Sequence, residues 1–163
     1  MARNIFILLA VLVAVTFMQV LGFSRLTVLY TAPDALAVFL AFSAVTLGRN
    51  AGMGFGFLGG ILTGLLSGAA GLHMLAGTLG GFAAGSFHIP RDSHATPSQK
   101  MRRIYAATAV AAFVSHTVLS IGENPLGLSP AYRIVVLGLL ETLLTLLLAF
   151  AANLLILKKT FSD

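Results

Sequence analysis

Glu141 is the ionisable residue placed deepest in an apolar segment of this chain. It lies about ten residues into the stretch that starts at residue 131, or roughly 15 Å along a helix. A carboxyl group at such a depth in a membrane is a candidate functional group, because ionisable residues there often serve ion or proton paths. The alternative is a structural role, in which a protonated or hydrogen-bonded carboxyl joins two helices. His116 and Arg133 are candidate partners for Glu141, although Arg133 is also placed to reach the lipid headgroups.

Asp34 and His73 are candidate polar groups near predicted helix ends. Asp34 follows Pro33 directly before an apolar segment, which is the position of an N-cap residue. His73 opens another apolar segment, where an imidazole reaches water. The possible polar site therefore consists of Asp34, His73, His116 and Glu141, with no spacing that indicates a metal site or a cofactor.

A catalytic serine is the other chemistry to consider. Ser67–Gly68 with His116 is similar to part of the site of intramembrane serine proteases, but the first glycine of that motif is missing. The chain also contains no phosphate-binding loop, dinucleotide fingerprint or metalloprotease His pair. We therefore predict a protein that is not an enzyme, with no catalytic residues.

The composition is that of a membrane protein. Of 163 residues, 58% are hydrophobic and only 9% are charged, against about 25% charged in soluble domains. The mean hydropathy is +0.96. The net charge of +5 does not indicate nucleic-acid binding, because the basic residues flank apolar segments and there set the topology. Since there is no cysteine, a disulfide framework and a thiolate site are both excluded.

The apolar segments predict an all-α polytopic membrane protein with six transmembrane helices in one domain, 1–163. A single helix over 52–87 would be about 54 Å long, so the small-residue cluster SGAAG is predicted to divide it into two spans. The second span has a short helix, and we expect LTVLY (26–30) to complete it as irregular backbone buried in protein. Residues 88–103 form a flexible cytoplasmic connector. The predicted spans are 4–23, 26–47, 52–67, 72–87, 104–121 and 131–157.

The basic residues predict the orientation. The N-terminal apolar run is longer than that of a signal peptide and is expected to remain as the first span. With six spans and both termini cytoplasmic, only Arg25 and Arg133 lie outside. The basic residues then inside are Arg3, Arg49, Arg91, Lys100, Arg102, Arg103, Lys158 and Lys159.

Glycines recur every four residues in the third and fourth spans. Small residues at this spacing let membrane helices approach closely. We expect the groove to pack an internal helix, with an oligomer or partner face and a substrate channel as the alternatives. The glycines of this predicted packing groove are Gly52, Gly56, Gly60, Gly64 and Gly68, followed by Gly77, Gly81 and Gly85.

The order of these features resembles the MreD family of rod shape-determining proteins. A Pro-Asp pair opens a short apolar helix, one basic residue (Arg49) follows, and GFLGGILTGLLSGAAGLH (56–73) precedes a glycine-dotted span and a basic loop. The resemblance is detailed over 33–73 and covers the rest of the chain in outline. Gly64 stands where many family members carry an acidic residue.

The resemblance implies a non-enzymatic scaffold of the rod (elongation) complex in the bacterial inner membrane. Its members bind MreC, and through it RodA, PBP2 and MreB, and so control cell shape and lateral peptidoglycan synthesis. It also implies a fold that resembles the substrate-binding subunits of energy-coupling-factor transporters. The alternative function is accordingly a vitamin-binding subunit, with Asp34, His73 and Glu123 lining an outward pocket. For the scaffold, we expect a partner helix on the glycine groove, so that Gly60→Leu or Gly64→Leu abolishes co-purification with MreC.

Overall fold

The computed structural model describes residues 2–90, 93–124 and 127–154, and the side chains from residue 5 onward. Within them the regular structure is helical. A π-helical segment, Tyr132–Leu137, leads into the last helix, and short 3₁₀ turns at Phe23–Arg25 and Gly85–Phe87 follow the first and fourth helices. The six α-helices are α1 (Ala2–Leu21), α2 (Ala35–Leu47), α3 (Arg49–Ser67), α4 (Ala70–Ala84), α5 (Pro97–Gly122) and α6 (Gly138–Ala152).

Among the described residues, four helical stretches are long and apolar enough to cross a membrane. They are Ile5–Arg25, Arg49–Ser67, Pro97–Gly122 and Tyr132–Ala152. The predictions of an all-helical chain and of a membrane protein are thereby confirmed. With 13 residues, α2 is about 20 Å long, less than the roughly 30 Å of a hydrocarbon core.

Successive helices alternate in direction. Residues at the start of α3 contact the end of α4, since Gly52 meets Gly81, while Gly60 lies against His73 near the other end. The described acidic residues Asp34, Glu123 and Glu141 consequently lie toward one end of the bundle, which we call the acidic end. The other end carries Arg49, Lys100, Arg102 and Arg103 and is called the basic end.

The short helix α2 is the centre of the bundle, because it contacts all five other helices. Ala37, Leu40, Ala41, Ala44 and Val45 are almost completely buried. A helix that is apolar on every side is stable only when it is covered on every side. The low polarity of α2 thus indicates a core helix, whether or not it crosses the membrane by itself.

The glycine groove packs α3 against α4. A Cβ atom built on Gly56 would overlap the carbonyl group of Gly77, and one on Gly81 would overlap that of Gly52. Backbone therefore touches backbone, which is the internal packing that the spacing predicts. Gly60, Gly64 and Gly85 also lie against backbone, of His73–Met74, Ala70 and Arg49.

Gly68 differs from the other seven predicted groove residues. Nothing lies within 4 Å of a Cβ atom built on it, and its φ of +83° ends α3 in the left-handed conformation. Gly68 is therefore the C-cap of α3 and lies outside the groove, because a glycine in this conformation avoids the strain that a Cβ atom causes.

Local sequence signals account for two helix starts. The Asp34 side chain accepts a hydrogen bond of 3.0 Å from Ala37 N, which confirms the predicted N-cap of α2. Thr96 and Gln99 form a capping box before α5. Because this box starts the helix at Pro97, the prediction that 88–103 is entirely a flexible connector is wrong for its last seven residues.

The prediction for LTVLY is wrong as well. Val28 and Thr31 exchange two backbone hydrogen bonds of 2.7 and 3.0 Å around a tight turn. The two central residues have positive φ, +50° at Leu29 and +71° at Tyr30, as a type I′ turn requires. Their exposed fractions are 71% and 77%, so this segment is a surface turn rather than irregular backbone buried in protein.

Candidate functional site

A cavity of about 220 Å³, which we call the polar cavity because several polar side chains enter its largely apolar wall, lies between the helices toward the acidic end. Apolar side chains such as Leu36, Leu40 and Leu119 form much of its wall. The volume is below the roughly 300–1,000 Å³ of typical ligand pockets. Its polar lining consists of Gln19, Thr31, Asp34, Thr63, His73, Ser115 and Glu141.

Asp34 is held at this cavity by its own backbone and side chain. Its carboxylate caps α2, and its backbone N–H donates a 2.9 Å hydrogen bond to Thr145 Oγ1. Thr145 is fully buried in α6. The start of the central helix is thus anchored to α6, and the carboxyl group that starts it also lines the cavity.

Gln19 joins α1 to the start of α2. Its side-chain amide donates to Pro33 O at 3.1 Å, and its carbonyl accepts from Ala35 N at 2.7 Å. One side chain therefore satisfies the Pro33 carbonyl before α2 and the Ala35 N–H in its first turn, where a helix start leaves N–H groups without partners. This geometry fixes the acidic end of α1 beside the cavity.

Glu141 pairs with His116. The distance from His116 Nδ1 to Glu141 Oε2 is 2.5 Å, and the two side chains are 12% and 16% exposed. His116 comes from α5 and Glu141 from the first turn of α6, so the pair joins two helices. Of the two partners left open by the sequence, His116 is the one that the fold brings to Glu141.

Two groups lie within hydrogen-bond distance of the other ring nitrogen of His116. Its Nε2 is 3.1 Å from the carbonyl oxygen of Arg133, which can only accept, and it also lies near Ser120 Oγ, which can donate or accept. The contact between Nδ1 and Glu141 requires one proton between those two atoms. That hydrogen bond offsets part of the cost of burying the two polar groups.

Arg133 does not have the place that the sequence suggested. It is only 7% exposed, and its guanidinium donates a hydrogen bond to Glu123 O. The prediction that it extends to the headgroups is therefore wrong. Arg133 lies in the π-helical segment, whose wider turn presents the Arg133 carbonyl both to Gly138 N–H and to His116.

Ser120 completes a chain of hydroxyl, imidazole and carboxyl groups. Ser120 Oγ lies 2.9 Å from His116 Nε2. In hydrolases this order activates the serine, because the imidazole takes the hydroxyl proton. Here Ser120 and His116 both lie on α5, one turn apart, and Arg133 O approaches the same ring nitrogen. Ser67, the serine considered from the sequence, is not among the partners of His116.

The four predicted polar residues divide between two neighbouring pockets. Asp34, His73 and Glu141 line the polar cavity. His116 lines a smaller pocket of about 160 Å³ together with Ser120, Arg133 and Glu123, so Glu123 does not share the cavity of Asp34. Within the described residues there is no group of three or more His, Asp or Glu side chains arranged to hold a metal ion.

Several residues at the site were not recognised in the sequence. Gln19 was visible as an amide within an apolar span, a signal that could have been used. Thr145 and Ser115 resemble the many other hydroxyl residues of the chain. Gly138 gave no signal, yet a Cβ atom there would lie 3.1 Å from the His116 ring, so its lack of a side chain makes room for the imidazole.

Comparisons of the chain with known protein families, curated proteins and solved structures find no match. The class to which it belongs is defined by the fold and the site alone. It is an all-helical membrane protein with a polar cavity between its helices.

Proposed function

We propose that this chain is a non-enzymatic scaffold of the bacterial rod complex, similar to the MreD family. It crosses the inner membrane six times with both termini in the cytoplasm. It binds MreC, and through MreC it acts with RodA, PBP2 and MreB in cell shape and lateral peptidoglycan synthesis.

The observation that carries this proposal is the pattern of residues 56–73. Gly56, Gly60 and Gly64 of this stretch pack α3 directly against the backbone of α4, and His73 lies at the polar cavity. Part of the pattern that carries the resemblance therefore also packs the α3–α4 hairpin. The alternation of helix directions also agrees with a six-span topology that places Arg49, Lys100, Arg102 and Arg103 at one end.

Affinity capture from native membranes tests the proposal. The tagged chain, solubilised in mild detergent, is expected to recover MreC and a penicillin-binding protein. Recovery of a coupling transmembrane protein with two ATPases would instead support transport. Capture of neither set from a folded, monodisperse preparation would contradict both functions.

The glycine groove is unsuitable for locating the MreC contact. Gly60 and Gly64 face α4 backbone, so leucine at either position would separate the hairpin whether or not a partner binds. The expectation that the partner helix occupies this groove is therefore withdrawn. A partner must use lipid-facing side chains such as Val11 of α1, Leu75 of α4 or Leu143 of α6.

Photo-crosslinking from those three positions can identify the helix that contacts MreC. A crosslinkable residue at one or more of Val11, Leu75 and Leu143 is expected to capture MreC in membranes. The buried Leu40, only 1% exposed, is the negative control. Equal capture from all four positions would show that the crosslinks are nonspecific.

The polar cavity supports a second candidate, a small-molecule binding subunit. Its carboxyl groups, Asp34 and Glu141, with His73, favour a small polar ligand, and about 220 Å³ allows only a compact one. Mass spectrometry of denatured, pure protein would then release a stoichiometric small molecule. The variant Asp34→Asn keeps the N-cap, because Asn caps helices as well as Asp. It should therefore lose the ligand and remain folded, and a protein that releases nothing counts against this function.

A further inference from the structure

A second pocket of about 220 Å³ lies at the basic end of the bundle. Its floor is apolar and comes from Val45 of α2, Ile89 and Ile104 of α5. Its rim is polar and includes Thr46, Ser93 and Lys100. An apolar floor under a polar, basic rim suits a ligand with a charged head and an apolar body.

Two arginines flank the chain segment that builds this pocket. Arg103 donates a 3.1 Å hydrogen bond to His88 O, the residue before Ile89. Arg49 donates to Ser86 Oγ at 3.3 Å and stacks on the Phe82 ring. Basic side chains from α3 and α5 therefore converge on residues 86–90.

The described acidic residues are far from this end. Asp34 starts α2, whereas the pocket lies at its last turn, and Glu123 ends α5, whereas Lys100 lies in its first turn. Arg91 and Asp92, which lie outside the described residues, contribute no net charge in the sequence. The basic end thus has an excess of positive charge where the apolar helices stop.

We propose that this pocket binds the phosphate group of an anionic phospholipid, with Lys100 of its rim as the principal contact and Arg103, one turn further along α5 and outside the pocket lining, as a second basic group. The pocket lies between helix ends, which is the depth of the headgroups around a membrane-embedded bundle. The apolar floor accommodates the beginning of an acyl chain, which free phosphate does not have. The proposal requires that the chain is inserted in a bilayer, and it is independent of any role in the rod complex.

Lipid retention by the purified full chain tests this site. Native mass spectrometry in neutral detergent is expected to show one tightly held phosphatidylglycerol and none of the zwitterionic phosphatidylcholine. Near an anionic membrane surface each basic side chain changes affinity by roughly fivefold. Lys100→Gln should therefore weaken phosphatidylglycerol binding about fivefold, and Lys100→Gln with Arg103→Gln should weaken it further.

Arg102→Gln is the matched control. It removes the same charge from the same turn of α5, but Arg102 is about 200° around the helix from Lys100, whereas Arg103 is only about 60° away. It is expected to leave binding unchanged. Equal losses for Lys100→Gln and Arg102→Gln would overturn the proposal in favour of a general charge effect. Displacement of the lipid by inorganic phosphate at the same concentration would overturn the assignment to a lipid, and circular dichroism verifies that each variant is helical.

Discussion

At the scale of single residues, the hydrogen bond with His116 explains how the Glu141 carboxyl group can be buried among apolar helices. His116 Nδ1 and Glu141 share a hydrogen bond, and Arg133 O and Ser120 Oγ lie within hydrogen-bond distance of His116 Nε2. Replacing both members of a buried pair by apolar residues is often harmless, whereas removing one leaves the other without its partner. This asymmetry allows the pair to be tested as a unit.

We expect Glu141→Leu and His116→Leu each to destabilise the protein by about 1–2 kcal/mol, the value of strong hydrogen bonds between membrane helices. The double variant should recover part of that loss, because it leaves neither group unpaired. A titration with denaturing detergent measures the free energy of unfolding of the two single variants and of the double variant. Glu123→Leu, at an exposed position, controls for loss of an acidic residue. Additive losses in the double variant would argue against coupling.

At the scale of elements, the α3–α4 hairpin depends on the absence of side chains. Gly52, Gly56, Gly77 and Gly81 allow the two backbones to touch, so any Cβ atom there must push the helices apart. Gly54 lies on the same helix with open space around it. Gly56 is therefore a position at which the packing can be tested, and Gly54 on the same helix is its control.

Gly56→Ala should lower stability by about 1–3 kcal/mol, the usual cost of overpacking. Gly54→Ala should leave stability unchanged or raise it by up to about 1 kcal/mol, because alanine favours a helix over glycine. Thermal unfolding of the purified variants provides the measurement. If Gly56→Ala and Gly54→Ala unfolded at the same temperature, close backbone packing would not be what stabilises the hairpin.

At the scale of the whole molecule, alternation of six helices separates the described acidic residues from the basic residues of α3 and α5. The proposed six-span topology requires that the short helix α2 and the 15-residue α4 also cross the membrane. Both are flanked by surface positions that can be labelled. The chain has no cysteine of its own, so single cysteines report position without background.

We expect a membrane-impermeant maleimide to label Leu26→Cys and Ser67→Cys in intact spheroplasts. Asn50→Cys and Ser98→Cys should react only after lysis, since they lie at the basic end. The pair at 26 and 50 tests whether α2 crosses, and the pair at 67 and 98 tests α4. Equal labelling of both members of a pair would show that the helix between them does not cross.

The sequence by itself determined the class of the protein and the local helix boundaries. Low charge and long apolar runs indicate membrane helices because the bilayer selects them by hydropathy and length. Asp34 could be predicted as a cap, and glycines four apart could be predicted to pack, because both signals depend on residues close together in the chain.

Tertiary structure alone decided which distant residues meet. Whether Glu141 contacts His116 or Arg133 depends on how α5 and α6 are rotated and on the π-helical turn between them, which hydrophobic periodicity does not encode. For the same reason α2 was recognised as short but not as central, and Arg133 was expected to reach the lipid headgroups although it is buried. A polar contact between helices is set by their rotation and relative depth, and these depend on the packing of the whole bundle.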